Sequence, residues 1–128
     1  MDIVSATFVE GVDVRQVPGP STRVDLTGVM FSLAAPSPPP VTIAPHLVVL
    51  VRCRANENGF SALEVVFRDE AGEQVARSVL PFEVEPGKFG YRLVRAELTY
   101  PDYGTIEAHC QLDAGPVTVV PLTLLPPA

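Results

Sequence analysis

Residues 106–112 read Ile-Glu-Ala-His-Cys-Gln-Leu, and every apolar side chain in this stretch is separated from the next by a polar one. Because successive side chains of a β-strand point to opposite faces, this alternation predicts a strand with one buried and one solvated face. Residues 46–54 are also predicted to alternate between two faces of a strand. The set expected on the buried face is Leu47, Val49, Val51 and Cys53.

Similar strand-length segments recur from Ile3 to Leu125, and Pro, Gly, Asn and Asp separate them at short intervals. Residues 73–81 also fit a helical stripe, but their β-branched content and the flanking Gly72 and Pro81 favour a strand. At 128 residues the chain has the size of one domain. The sequence therefore predicts an all-β fold, a single antiparallel β-sandwich of about eight strands spanning residues 1–128.

Two details of the organisation can be predicted from Pro and Gly. Residues 3–14 and 23–33 are expected to be the first two strands, with a turn at residues 17–21. Residues 36–40 (Pro-Ser-Pro-Pro-Pro) predict a stiff extended connector. A proline-rich peptide ligand is the alternative for this segment, but no basic residues flank it.

The segment 102–108 (Asp-Tyr-Gly-Thr-Ile-Glu-Ala) resembles the turn into the sixth strand of immunoglobulin-type domains. That family has Tyr and Cys where this chain has Ile106 and Ala108, and the chain contains no Trp to pack on an inter-sheet disulfide. The resemblance therefore implies an immunoglobulin-like architecture and not an antibody-like domain.

A second resemblance is carried by Asp13-Val14-Arg15 and by Leu26-Thr27-Gly28-Val29, together with Pro-Asp-Tyr-Gly at 101–104. These motifs are similar to those of a group of small, functionally uncharacterised bacterial β-sandwich proteins. The resemblance implies a fold and a bacterial setting, and it implies no activity.

Charge and hydropathy exclude several classes of function. The net charge is −6, and the nine basic residues are scattered singly, so the sequence lacks the basic stripe that nucleic acids or anionic membranes require. Residues 1–5 lack the features of a signal peptide, and the longest apolar run, residues 47–51, is too short to span a bilayer. These observations predict a cytoplasmic protein.

No residue set points to a catalytic or metal centre. His109 and Cys110 are adjacent on a predicted strand and so face opposite sides, which prevents them from sharing an ion. Cys53 and Cys110 are both expected to face inward, as buried thiols or alternatively as a disulfide between the sheets. A weaker candidate is a calcium site in the loops. Its ligands would come from Asn56, Glu57, Asn58 and Asp113. The sequence predicts no enzyme and no cofactor.

The remaining hypothesis is a surface for another molecule. The apolar content of 47% is high for a small sandwich and favours a protein–protein interaction or scaffold module, self-associating or joined to a partner. The residues predicted for that surface are Val48, Leu50, Arg52, Arg92, Arg95, Tyr100 and Tyr103. The alternative is a module that binds a small molecule or carbohydrate through Arg95, Tyr100 and Tyr103.

Overall fold

The computed structural model describes residues 1–18 and 21–127, which form twelve β-strands and no helix. The strands are β1 (Asp2–Val9), β2 (Gly11–Val17), β3 (Ser21–Thr27), β4 (Ser32–Ala34), β5 (Val41–Ile43), β6 (His46–Arg52), β7 (Phe60–Arg68), β8 (Gln74–Glu83), β9 (Phe89–Arg95), β10 (Leu98–Tyr100), β11 (Gly104–Leu112) and β12 (Val117–Leu125). The prediction of an all-β fold is confirmed.

The number of strands is larger than the predicted eight, partly because both predicted N-terminal strands are broken. The chain bends at Glu10, which divides residues 3–14 between β1 and β2. It turns again at Gly28, whose φ of +66° lies in the left-handed region that favours glycine and divides residues 23–33 between β3 and β4. The turn predicted at residues 17–21 falls between β2 and β3, and its Gly19 and Pro20 lie outside the described residues.

The strands form two main sheets and two short ribbons. One sheet has the order β1-β6-β9 and the other β4-β12-β11-β7-β8, while β2 pairs with β3 and β5 with β10. All the pairs are antiparallel except β4 with β12, which is parallel and departs from the predicted purely antiparallel arrangement.

Both main sheets contribute to one hydrophobic core, an arrangement that fits a β-sandwich. The alternation predicted for β11 and the inward face predicted for β6 are confirmed, since the inward residues of both are all buried in this core. Those residues are Leu47, Val49, Val51 and Cys53 in and after β6, and Ile106, Ala108, Cys110 and Leu112 in β11.

Two local predictions are also confirmed. Residues 74–83 form a strand, β8, which pairs along its length with β7. Cys53 and Cys110 are buried free thiols and not a disulfide. Residues 36–40 join β4 to β5 without regular secondary structure.

We predict that Cys110 in the native protein resists alkylation by iodoacetamide at pH 8. Burial raises the pKa of this thiol to about 12, so the thiolate that would react is scarce and enclosed. Mass spectrometry of native and urea-unfolded samples should find Cys110 labelled rapidly only after unfolding. Equal labelling rates in the two samples would contradict the buried position.

Candidate functional site

The structure overturns the predicted exposure of Val48. It is fully buried, although it lies on the opposite face of β6 from Leu47 and Val49. Because β6 is the central strand of its sheet, Thr7 of β1 and Leu93 of β9 flank Val48 on the same face, and Val9 of β1 is buried on that face as well. Val48 therefore cannot take part in an interaction surface.

The predicted exposure of Tyr100 is also wrong. It is 2% exposed, because Leu98 and Tyr100 share the inward face of β10. Its hydroxyl donates a hydrogen bond of 2.7 Å to the carbonyl oxygen of Leu122 in β12. Tyr100 is a core residue that ties the β5–β10 ribbon to the five-stranded sheet, and it is not available to a ligand.

The other predicted residues lie in three different environments. Leu50, Arg52 and Arg95 lie on the outer face of the β1-β6-β9 sheet, where Arg52 and Arg95 are exposed and Leu50 is half-buried. Arg92 is half-buried and pairs with the inward-facing Val49. Tyr103 is 38% exposed and lies in the loop between β10 and β11. The structure does not bring the seven predicted residues together.

An exposed apolar row on edge strand β9 was missed. Phe89, Tyr91 and Leu93 are 67%, 41% and 42% exposed, and their shared parity places them on the outer face of the sheet. Arg52 lies opposite Phe89, and Arg95 follows Leu93 on the same face. The spacing of Phe89, Tyr91 and Leu93, two positions apart, is the sequence signal that could have revealed this row. We call these three apolar residues the β9 row.

A second apolar surface lies on the β2–β3 ribbon, residues 11–17 and 21–27. Val12 pairs with Leu26 and Val14 pairs with Val24, so these four side chains share one face. The ribbon is therefore amphipathic, and Val14 on its apolar face is 47% exposed.

The opposite face of the ribbon carries charge. Asp13 lies across from Asp25, and Arg15 lies across from Arg23, which places like charges directly opposite one another. A diagonal ion pair relieves one of these contacts, with Arg15 Nε 2.5 Å from Asp25 Oδ2. The Arg15 hydrogen bond lowers the pKa of the Asp25 carboxyl. This charged face is suited to water, whereas the opposite face of the ribbon is apolar.

The ribbon packs sparsely on the rest of the molecule. Most contacts of β2 and β3 are with each other, and few are with the other strands. The protein exposes 7426 Å² of surface. A folded monomer of this mass typically exposes about 6,600 Å². The excess is about 800 Å², as expected for a molecule in which one ribbon packs sparsely on the other strands.

A groove of about 550 Å³ lies between the β7–β8 turn and the β10–β11 loop. Its apolar lining includes Val75, Pro101, Tyr103 and Ile106. Four carboxylates also line it, from Asp69, Glu70, Glu97 and Asp102, and the described lining residues include no Lys, Arg or His. We call this feature the acidic groove.

Backbone N–H groups orient three of these carboxylates. Glu70 Oε1 accepts a hydrogen bond of 2.7 Å from the Thr105 amide, and Asp69 Oδ1 accepts one of 2.9 Å from the Glu73 amide. Asp102 Oδ1 accepts a bond of 2.8 Å from the Tyr103 amide. Each of the three side chains therefore keeps a second carboxylate oxygen outside these bonds.

The loop residues considered for calcium do converge in part, at a polar pocket of about 390 Å³ that includes Glu57, Asn58 and Asp113. Their oxygens already have partners. Glu57 pairs with the Met1 ammonium group and accepts a bond from the Arg54 amide, and these contacts lower the pKa of its carboxyl. Asp113 accepts bonds from the Ser61 hydroxyl and the Ala62 amide, which lower its pKa. The carboxylates here serve to join chain segments.

The histidine and cysteine positions give no reactive pair. Cys110 is buried in the core, whereas the His109 side chain is 27% exposed on the other face, 3.5 Å from the Glu107 carboxylate. Across residues 1–18 and 21–127, no three His, Cys, Asp or Glu side chains are grouped to hold a metal ion. The absence of enzyme activity and of a cofactor stays a prediction.

No known family model matches the chain, and no curated protein has significant sequence similarity to it. The resemblance to small bacterial β-sandwich proteins therefore stays a prediction. In the part of the chain that the structure describes, no helix is long and apolar enough to cross a membrane.

Proposed function

We propose that this protein is a non-catalytic protein–protein interaction module that associates with a second copy of itself. The valine face of the β2–β3 ribbon carries the proposal, because it is an apolar surface on which Val14 is exposed and Val12, Val24 and Leu26 are only half-buried. A lone two-stranded ribbon is at best marginally stable in water and normally requires packing on one face. A partner that covers Val12, Val14, Val24 and Leu26 supplies that packing.

The area available matches what a stable association needs. A standard interface buries about 800 Å² on each partner, which is close to the excess surface of this chain. The β9 row offers a second apolar surface on the same molecule, and tyrosine and arginine near it are residues that anchor interfaces. Two complementary apolar surfaces on one chain allow a closed two-fold dimer, in which each ribbon covers the β9 row of the other copy.

The test is the molar mass by light scattering after size exclusion, over a hundredfold range of dilution. We expect the wild-type protein to be a dimer at high concentration and Val14→Asp/Val24→Asp to be a monomer throughout, because charged residues cannot be buried unpaired in an apolar contact. Arg23→Gln/Thr27→Asp is the matched control, since it makes the same change in net charge at exposed positions on the opposite face of the ribbon. A wild-type protein that is monomeric at every concentration would refute self-association.

A mixing experiment tests the proposed contact between the ribbon and the β9 row. Leu93→Asp should also be a monomer, and an equimolar mixture with Val14→Asp/Val24→Asp should recover some dimer, because one of the two contacts is then intact. If the ribbons instead contact each other, Leu93→Asp stays dimeric.

We also infer an immunoglobulin-like architecture and a cytoplasmic, bacterial setting. Two sheets around a common core support the architecture. The two free thiols support a reducing compartment. The alternative function, binding of a small molecule or carbohydrate through Arg95, Tyr100 and Tyr103, is less well supported, since Tyr100 is buried and Arg95 does not line the acidic groove.

A further inference from the structure

We propose that the acidic groove binds an extended peptide segment of a partner protein and recognises a lysine or arginine side chain in it. This site is separate from the ribbon and the β9 row, and it does not rest on self-association. Its volume of about 550 Å³ is large enough for one or two side chains.

Charge complementarity identifies the occupant. Asp69, Glu70, Glu97 and Asp102 surround the groove, and the described lining residues supply no cation to balance them. Such like charges repel one another, so bringing four of them together here has an electrostatic cost. A bound guanidinium or ammonium group relieves this repulsion and gains charge-assisted hydrogen bonds.

The lining also fits the apolar stem of a basic side chain. Val75 is 42% exposed and Tyr103 is 38% exposed, and both line the groove together with Pro101. Lysine and arginine cover apolar surface with their methylene groups while the charged end reaches polar atoms. Tyr103 adds an aromatic ring, which attracts a cation placed near its face.

An extended peptide is favoured over a small free cation by the neighbouring sheet edge. Val75 belongs to β8, which is the edge strand of the five-stranded sheet among the described residues. An edge strand presents unpaired backbone groups, to which an extended peptide can add main-chain hydrogen bonds. A polyamine has no amide groups and cannot make use of this edge.

The experiment measures fluorescence anisotropy with a fluorescein-labelled peptide, Val-Arg-Val-Arg-Val, and with a matched Val-Gln-Val-Gln-Val peptide. We expect the arginine peptide to bind, and to bind more weakly as salt is added. The glutamine peptide should bind at least about fivefold more weakly. The monomeric ribbon variant Val14→Asp/Val24→Asp should bind the arginine peptide as the wild type does, which separates this test from that of self-association.

Glu97→Gln/Asp102→Asn should weaken binding of the arginine peptide by about five- to tenfold. Both side chains are exposed, and the Asp102→Asn substitution keeps an amide oxygen that can accept from the Tyr103 N–H, so the variant should fold normally. The control Asp13→Asn/Glu83→Gln removes the same charge away from the groove and should bind normally. The proposal is overturned if the arginine peptide does not bind, if both double variants weaken it equally, or if spermine displaces it as effectively as unlabelled peptide does.

Discussion

Replacing Tyr100 by alanine should lower the free energy of unfolding by about 3–5 kcal/mol, the range found when a large buried side chain is truncated. Tyr100 lies in the core shared by the two sheets, and its hydroxyl donates to the Leu122 carbonyl. The alanine variant would lose both the packing and the hydrogen bond. Urea unfolding followed by circular dichroism measures the difference.

Tyr100→Phe separates the two contributions, because it keeps the ring and removes only the hydroxyl. We expect it to cost about 1–2 kcal/mol, since the Leu122 carbonyl loses a buried partner. An exposed-tyrosine control, Tyr103→Phe, should change stability by less than about 0.5 kcal/mol. A loss of less than about 1 kcal/mol in Tyr100→Ala would contradict the buried position.

Tyr100→Phe should also change how the stability of the fold depends on alkaline pH. Burial raises the pKa of Tyr100 above its ordinary value of 10.0, so the phenol stays protonated in the folded protein where the unfolded chain ionises. Stability should therefore fall as pH rises above about 10. Tyr100→Phe should lose less stability between about pH 9 and pH 11 than the wild type does, while the part due to the raised pKa of Cys110 remains.

Replacing Gly59 by alanine should destabilise the fold by about 2–4 kcal/mol. The φ of Gly59 is +84°, and a Cβ atom there would lie 2.4 Å from the backbone carbonyl oxygen of Val84. The two backbones are joined at this point by a hydrogen bond of 2.9 Å from the Val84 amide to the Gly59 carbonyl. The clash is with backbone, so side-chain movement cannot relieve it.

Gly72→Ala is the matched control. Its φ of +82° is nearly the same, but a Cβ atom there has nothing within 4 Å. It should cost about 1 kcal/mol from backbone strain alone. Equal stability of the two alanine variants would contradict the close approach of the Gly59 and Val84 backbones.

Periodicity in the sequence predicted the faces of the strands well where one face meets the core. The alternation of residues 106–112 is reproduced in the burial of β11, and the turn residues before Phe60 end where β7 begins. The same reasoning failed for Val48, because alternation does not reveal that β6 is the central strand of its sheet. Burial of an outward residue depends on neighbours that are distant in the chain, here Thr7 and Leu93.

The ribbon was partly visible in the sequence. Val12 and Val14 alternate with Asp13 and Arg15, a pattern that predicts a half-exposed strand. What the pattern could not indicate is that the pair of strands packs sparsely on the other strands, since its position depends on the bend at Glu10 and the turn at Gly28.

The acidic groove was not predicted at all. Its carboxylates come from segments near residues 69–70, 97 and 102, and each resembles an ordinary solvated turn residue when read alone. Only the fold brings the β7–β8 turn beside the β10–β11 loop. Of the predicted site residues, Tyr100 and Tyr103 both border the groove, but Tyr100 is buried beneath it and only Tyr103 is exposed to a ligand.

Hydrogen exchange of the ribbon amides at two protein concentrations measures whether a second molecule covers the ribbon. An uncovered two-stranded ribbon should exchange rapidly, because its hydrogen bonds open easily. We expect residues 11–17 and 22–27 to become at least about tenfold more protected at high concentration, and Val14→Asp/Val24→Asp to abolish this gain. Ribbon amides that exchange at the same rate at both concentrations, while the concentrated sample is fully folded, would contradict it.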